Sequence, residues 1–291
     1  MTAPLASVRG ARGRGVRRLR FLRTLYSRRS AAFGTSVVLL FLLVALAGPL
    51  LAPYGANEQD FSEARRPPSL ERPFGSDHLG RDVFSRVVLG TRDIFMLAGF
   101  GTLLAVFVGT VVGLFATYLG GLVEEIAFRL FDSVLAMPAL LFALLLLGTF
   151  GPSRTNVLIV IAVAYVPIVA RVVRSVVVAV KTREYVAAAR MQGESLGYIL
   201  FREILPAVLP ALAVESALRF SYAIFLVASL GFLGAGVQPP NPDWGLMISE
   251  ARTFVGLTPW ALYFPAAVIS LLVVSVNLMA DGLKTVLQEG G

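Results

Sequence analysis

The sequence contains no cysteine, which excludes disulfide bridges, thiolate metal ligands and a cysteine nucleophile. It contains a single histidine, His78, so a histidine-rich metal site is excluded as well. Carboxylates flank His78, but no second histidine or cysteine supports a site there, and we interpret it as a loop residue. Charged residues make up only 15% of the chain, whereas soluble proteins carry about 25%. The scarcity of charge indicates a protein that is not soluble.

An ATP-binding phosphate loop is also absent from the sequence. Such a loop needs the pattern Gly-x4-Gly-Lys-Ser/Thr, in which backbone amides and the lysine cradle the phosphates. The only lysines are Lys181 and Lys284, and neither stands in that pattern. By itself, this chain therefore cannot be a P-loop ATPase.

The apolar residues are gathered in long runs and make up 56% of the 291-residue chain. A helix that spans a bilayer needs about 20 consecutive apolar residues. Prolines, glycines and polar stretches separate six runs near this length. The runs cover 31–52, 94–118, 128–150, 157–180, 207–236 and 259–283. The sequence predicts an all-α polytopic membrane protein with six transmembrane helices, so both termini lie on one side.

The distribution of positive charge predicts which side that is. The formal net charge is +8, and arginine is concentrated in the first 29 residues, where no acid occurs. The positive-inside rule places such a tail in the cytoplasm. The segment between the fourth and fifth runs then lies in the cytoplasm too. We interpret the basic charge as a topology signal in contact with the lipid bilayer, and expect no nucleic-acid partner.

These predictions divide the chain into five regions. Each boundary follows a change between apolar and polar composition. The regions are a cytoplasmic arginine-rich tail (1–30), a first transmembrane helix (31–52), a structured extracytoplasmic loop (53–92), a transmembrane core of five helices (93–284) that includes a cytoplasmic loop (181–206), and a cytoplasmic tail (285–291).

The stretch EYVAAARMQGESLGYILFREILP, residues 184–206, is too polar to cross a bilayer and too apolar for an ordinary loop. Its three consecutive alanines favour a helix, for which Thr182 suits the N-cap and Gly193 the C-terminal turn. Ser195 suits the cap of a second helix, and Pro206 begins the next span. The pattern predicts two short helices at the membrane surface. Physical reasoning leaves two targets open, a lipid surface and a groove of a partner protein.

Few charges fall inside the predicted spans. Glu215 and Arg219 are four residues apart and share a helix face, and Asp132 and Arg129 suggest a second pair. A charge in a membrane costs about 2.5–3.5 kcal/mol, so such residues are functional candidates. Two interpretations remain open, a structural ion pair and the lining of a transport path. In the second run, Gly109 and Gly113 have the spacing by which small residues let helices pack closely.

The 184–206 stretch resembles the EAA loop of the permease subunits of bacterial ABC importers, which has recurring alanines, a glycine and a downstream Ile-Leu-Pro. Three further stretches resemble one subgroup, the dipeptide/oligopeptide/nickel permeases. They are FGSDHLGRDVFSRVVLGTRDIF in the first loop, ASLGFLGAGVQPPNPDWGLMISEAR after the fifth run, and NLMADGLKTVL near the C-terminus. The resemblance extends over about 20–288 and is greatest to the C-type of the two paired subunits.

The resemblance implies two sets of functional residues. The sequence differs from the subgroup at Ala187, where the subgroup usually has the glutamate of the EAA triplet. The nearest acidic residue in this chain is Glu184. The residues that the resemblance assigns to ATPase coupling are Glu184, Tyr185, Ala187, Ala188, Ala189, Arg190, Gly193, Ile204, Leu205 and Pro206. Those of the extracytoplasmic motif are Gly75, Asp77, Leu79, Gly80, Arg81 and Asp82.

The resemblance also implies an assembly and a mechanism, in which this chain is not an enzyme and has no catalytic residue, metal site or cofactor of its own. A second, homologous permease subunit pairs with this chain, and two cytoplasmic ABC ATPase subunits, which bind ATP and magnesium, dock on the two loops. An extracytoplasmic binding protein delivers dipeptides or oligopeptides, with nickel chelate, glutathione and haem as alternative cargo. The implied location is the bacterial inner membrane, with both termini cytoplasmic. A channel or ion-coupled secondary transporter is the alternative of a different class.

Overall fold

The computed structural model describes Tyr26 and residues 28–289. Most of the predicted tail at 1–30 therefore lies outside the described residues. The described residues form helices, and the extended backbone among them pairs only in a bridge between Ser76 and Asp82. We number the helices α1 (Arg29–Leu51), α2 (Val83–Leu119), α3 (Gly121–Leu135), α4 (Ala139–Phe150), α5 (Arg154–Val180), α6 (Glu184–Met191), α7 (Leu205–Phe232), α8 (Trp244–Ala251) and α9 (Pro259–Glu289).

Five of these helices, α1, α2, α5, α7 and α9, are long and apolar enough to cross a membrane. Helices α3 and α4 pass the same test only as a pair, and they are bent by 89° relative to one another. The prediction of one continuous run at 128–150 was therefore wrong. Pro138 lies at the break, and a proline disfavours helical backbone in the residue before it and has no amide hydrogen to donate. The bundle has six crossings if the bent pair counts as one.

Helix α2 begins much earlier than the apolar run predicts. It starts at Val83 because the carboxylate of Asp82 accepts a hydrogen bond from the Ser85 amide at 2.7 Å and caps the first turn. The helix has 37 residues, about 55 Å at 1.5 Å per residue. Helix α2 thus starts inside the predicted loop at 53–92, and α9 continues to Glu289 through part of the predicted tail at 285–291. The boundaries at 92 and 284, which concern the membrane surfaces, stay predictions.

Helices α2 and α5 pack at very close range along a stripe of small residues on α2. An added Cβ would lie 2.8 Å from an Ile161 side-chain atom at Gly101, 2.8 Å from Val169 at Gly109, and 2.9 Å from Val173 at Gly113. Ala105, in the same stripe, is fully buried. The predicted packing role of Gly109 and Gly113 is confirmed, and substitution at these positions forces the two helices apart.

Long-range contacts define two ends of the bundle. At one, the α6 end, Lys181 donates from Nζ to the Thr117 carbonyl at the C-terminus of α2. At the other, the loop end, Trp260 donates to the Ser76 carbonyl and so joins the start of α9 to the first loop. Gly34, near the start of α1, lies against α9 near Met279. The described chain therefore begins and ends at the α6 end, in agreement with an even number of crossings.

Candidate functional site

Helix α6 joins spans α5 and α7 and is buried on one side only. Val186 and Ala189, three residues apart, enter an apolar cluster with Leu114 of α2 and Val177 of α5. Glu184 and the alanine at position 187 are exposed, as are Tyr185 and Arg190. Ala188 is partly exposed. The helix is thus anchored on the spans and presents its other face outward.

Gly193 ends α6 in the left-handed region, with φ of 75°. Its amide donates to the Arg190 carbonyl at 3.0 Å, and the Glu194 amide donates to the Ala189 carbonyl at 3.1 Å. These two hydrogen bonds form a Schellman motif, which needs a residue at ease with positive φ. The predicted turn at Gly193 is confirmed. The predicted cap at the other end of α6 was wrong, because Arg183 occupies that position without a side-chain cap.

Ser195 caps the next helical segment as predicted, by accepting a hydrogen bond from the Tyr198 amide at 3.2 Å. The prediction of a separate second helix was wrong. The chain continues from Leu196 through a π-helical turn, Ile199–Ile204, directly into α7, so Leu205 and Pro206 lie in the first turn of that helix. Proline is tolerated there, because its fixed φ suits helical backbone. Ile204 is fully buried and anchors this junction.

Two side-chain contacts at α6 were not found from the sequence. Arg190 donates from Nε to the Tyr118 hydroxyl at 2.9 Å, and its guanidinium carbon lies 4.7 Å from the centre of the Tyr118 ring. Lys181 reaches the neighbouring residue of α2 at 3.0 Å. The available signal was Tyr118 at the end of an apolar run, because a buried tyrosine packs its ring in the core and needs a hydrogen-bond partner for its hydroxyl.

The exposed surface around α6 is apolar as well as charged. Met191 is 83% exposed, Tyr185 41% and Phe201 45%. No described residue forms an ion pair with Glu184. Exposed apolar side chains with an unpaired carboxylate near them in the sequence are compatible with a surface that another protein covers.

The first-loop motif forms a buried ion-pair cluster at the loop end. Asp77 accepts from Arg81 Nε at 2.6 Å and from Arg86 Nη1 at 2.9 Å. Glu250 of α8 accepts from Arg81 Nη2 at 2.6 Å and from Arg86 Nη1 at 3.3 Å. The side chains of Asp77, Arg81 and Arg86 are only 7%, 8% and 4% exposed. The cluster therefore ties the first loop and α2 to α8, and Arg86 and Glu250 are members that the sequence did not reveal.

The other motif residues shape the loop around this cluster. Gly75 and Gly80 have φ of 69° and 77°, and an added Cβ at Gly80 would lie 1.9 Å from the Asp60 carbonyl oxygen. Leu79 donates its amide to Asp77 at 2.9 Å, while Asp82 caps α2. The motif is explained by backbone geometry and buried charge, which makes it a structural element of the loop end.

His78 lies beside the cluster and stacks on Phe254, with 4.4 Å between the ring centres. Burial lowers the pKa of His78, although the neighbouring Asp77 acts in the opposite direction. The imidazole therefore packs as a neutral ring, in line with its interpretation as a loop residue.

The predicted candidates Glu215, Arg219 and Asp132 are all ion-paired, though only one of the two pairs is the predicted one. Arg219 Nε lies 2.7 Å from Glu215 Oε1, and the guanidinium also lies over the ring of Tyr222 at 4.7 Å. The pairing of Asp132 with Arg129 was wrong. Asp132 accepts from Arg171 of α5, and Arg129 instead pairs with a glutamate one turn earlier in α3.

A further buried carboxylate, Asp243, caps α8 by accepting from the Leu246 amide at 2.8 Å. It is 3% exposed. Burial raises the pKa of Asp243 to about 6, against the opposing effect of its backbone hydrogen bonds.

We expect Asp243→Asn to make stability less dependent on pH. The folded-state pKa lies above the unfolded value, so ionisation costs stability as pH rises from about 4 to about 6, by about 2–3 kcal/mol at most. Asparagine keeps the cap and cannot ionise. The melting temperature of the variant relative to the wild type should therefore be higher at pH 7.5 than at pH 4. A difference that is the same at both pH values contradicts the assignment.

Comparison with known proteins gives two matches to protein families. A family described as "Binding-protein-dependent transport system inner membrane component" matches residues 105–289. A second, described as "N-terminal TM domain of oligopeptide transport permease C", matches residues 19–68. The first match contains the whole 184–206 segment, and the second contains α1 and part of the first loop.

Individual relatives match over most of the chain. The dipeptide transport system permease protein DppC of Alkalihalophilus pseudofirmus is 40% identical over 257 residues, 88% of this chain and 84% of that protein. The glutathione transport system permease protein GsiD of Pectobacterium atrosepticum is 37% identical over 86% of this chain and 83% of that protein. The dipeptide transport system permease protein DppC of Haemophilus influenzae is 37% identical over 89% of this chain and 90% of that protein.

Proposed function

We propose a specific role from the premise that this chain belongs to the binding-protein-dependent transport system inner membrane components, as a C-type permease of the dipeptide/oligopeptide kind. It is a membrane-spanning permease subunit of an ATP-driven ABC importer, and its cargo is dipeptides or oligopeptides. The names of its relatives support this cargo.

The geometry of α6 is the observation that supports the mechanism best. The helix is fixed to α2 and α5 by Val186 and Ala189 and is closed by the Gly193 turn, after which the segment from Leu196 continues directly into α7. A short helix held in this way, with an exposed apolar and charged face, suits a helix on which another subunit docks and whose displacement is passed to the spans. We assign this docking to a cytoplasmic ATPase subunit, and we propose that it contacts the coupling residues between Glu184 and Pro206.

The assembly that this mechanism needs has four further subunits besides this chain. A second permease subunit completes the path through the lipid bilayer, and an extracytoplasmic binding protein delivers the cargo. Two ATPase subunits bind ATP and magnesium and carry out the hydrolysis. In this assignment the chain itself is not catalytic, and Glu184 takes the place of the acid missing at Ala187.

We infer that the α6 end faces the cytoplasm of a bacterial cell, with the inner membrane around the spans. Four cations lie in or beside the segment at this end: Lys181, Arg183, Arg190 and Arg202. An excess of cations near the ends of spans is the mark of the cytoplasmic side. Because the described chain begins and ends at the α6 end, both termini are cytoplasmic in this orientation.

Glutathione is the second candidate cargo, because a 37% identical relative is a glutathione permease. Glutathione is itself a small peptide, so both candidates require a path that accepts a zwitterionic backbone. Nickel chelate and haem remain alternatives without a supporting observation.

Transport by the reconstituted complex tests this function. The chain is coexpressed with the second permease, the ATPase subunits and the binding protein of the proposed assembly, and the purified complex is reconstituted in proteoliposomes. We expect ATP-dependent uptake of a radiolabelled dipeptide, and peptide in the mass spectrum of the isolated binding protein.

Two controls separate the alternatives. Vesicles that hold this chain alone should take up nothing, whereas a channel or ion-coupled carrier would transport without the other subunits. Uptake of glutathione but not of dipeptides would identify glutathione as the cargo. Uptake that does not depend on ATP would contradict the proposed function.

A further inference from the structure

Helix α6 is joined to α5 through a turn at residues 181–183, where the helix of α5 has ended. A turn of this length is a potential hinge, because its few backbone angles absorb a rotation. If the turn bends freely, a force applied to α6 displaces α6 without moving the spans. A side-chain contact that fixes the angle between α6 and the spans would prevent this.

Tyr118 makes such a contact. Its hydroxyl accepts the 2.9 Å hydrogen bond from Arg190 Nε, and its ring lies under the same guanidinium at 4.7 Å. Lys181, the first residue of the turn before α6, donates to the Thr117 carbonyl at 3.0 Å. The turn and α6 are thus bonded to consecutive residues of α2, a helix that does not adjoin α6 in the sequence.

The helix that receives these bonds is packed very closely on α5. Gly101, Gly109 and Gly113 bring the backbones so close that even a methyl group would clash with Ile161, Val169 or Val173. Interlocked surfaces of this kind move as a rigid body. The apolar contacts of Val186 and Ala189 are not directional, whereas a hydrogen bond fixes an orientation.

We propose that Tyr118 is a positioning residue that locks α6 onto the α2–α5 pair, so that displacement of α6 turns the pair as one body instead of bending the 181–183 turn. This inference rests on the proposed function, in which α6 receives the movement of an ATPase. Arg190 then has two roles: it fixes α6 through its bond to Tyr118, and it is part of the exposed surface on which the ATPase subunit docks.

A distance measurement on the full chain tests the lock without any partner. The chain has no native cysteine, so spin labels attach only at introduced ones. Met191→Cys on α6 and Phe107→Cys on α2 are both exposed sites. In nanodiscs, Tyr118→Phe should widen the distribution of distances between the two labels, because phenylalanine removes the hydroxyl alone. A distribution of unchanged width overturns the lock. Tyr263→Phe, an exposed tyrosine of α9, is the matched control.

Transport by the assembled complex tests the consequence. We expect Tyr118→Phe to lower peptide uptake per ATP hydrolysed about five- to tenfold, the effect of losing one hydrogen bond. In the Arg190→Gln background the same change should have no further effect, since the bond is already broken. Additive losses, or a variant with a lower melting temperature and wild-type uptake per ATP, overturn the inference. Absence of ATP-dependent uptake in the wild type would count against the proposed function instead, and the label distances remain informative.

Discussion

Gly193→Val is expected to abolish the coupling of ATP hydrolysis to uptake while the chain still inserts in the membrane. At φ of 75° a β-branched side chain meets its own backbone, although nothing else lies within 4 Å of the added Cβ. The Schellman motif must therefore open, at a cost of about 1–3 kcal/mol, and the end of α6 is no longer held. Uptake and co-purification of the ATPase subunits are the measurements.

Two variants make this result specific. Gly193→Asn should retain most of the activity, because asparagine tolerates the left-handed region. Gly148→Val is the matched control, since Gly148 has no positive φ and no atom within 4 Å of an added Cβ. Normal uptake by Gly193→Val, with ATPase subunits bound at wild-type yield, would contradict the role of α6.

Asp77→Ala is expected to have the largest effect on stability. Removal of this carboxylate leaves Arg81 and Arg86 buried with Glu250 as their remaining acid. Breaking a buried pair by removing one partner costs about 3–5 kcal/mol, because the charge that remains has lost both water and its partner. We expect a marked fall in the melting temperature in detergent.

An exposed pair provides the comparison for Asp77. Glu63 and Arg66 lie in the same loop at 3.6 Å, with side chains 40% and 61% exposed. Glu63→Ala should change stability by only about 0–1 kcal/mol. Equal melting temperatures of the Asp77 and Glu63 variants would show that the cluster does not hold the loop end together.

Much of the candidate site was predictable because its geometry is local. The left-handed turn at Gly193 and the cap at Ser195 depend on the conformational preferences of single residues, so both were found from the sequence. The separate second helix was wrong for a related reason. A helix can begin at a cap and continue into a span, and composition alone does not show where it stops.

The contacts that fix the site were not predictable in the same way. Arg190 bonds to Tyr118 across 72 residues, and Arg81 to Glu250 across 169. Asp132 pairs with Arg171, 39 residues away, and not with its neighbour in the same helix. Spacing in the sequence indicates which residues share a face of one helix, but not which helix that face meets.

The sequence by itself determined that the chain crosses a membrane, how many apolar runs it has, and which segment leaves the bilayer to form α6, because each depends on composition and short-range spacing. Only the tertiary structure decided the bonding of α6 to α2, the pairing of Asp132 with Arg171 and the joining of Arg81 to Glu250. These contacts depend on which helices meet in the packed bundle, and short-range spacing does not contain that information.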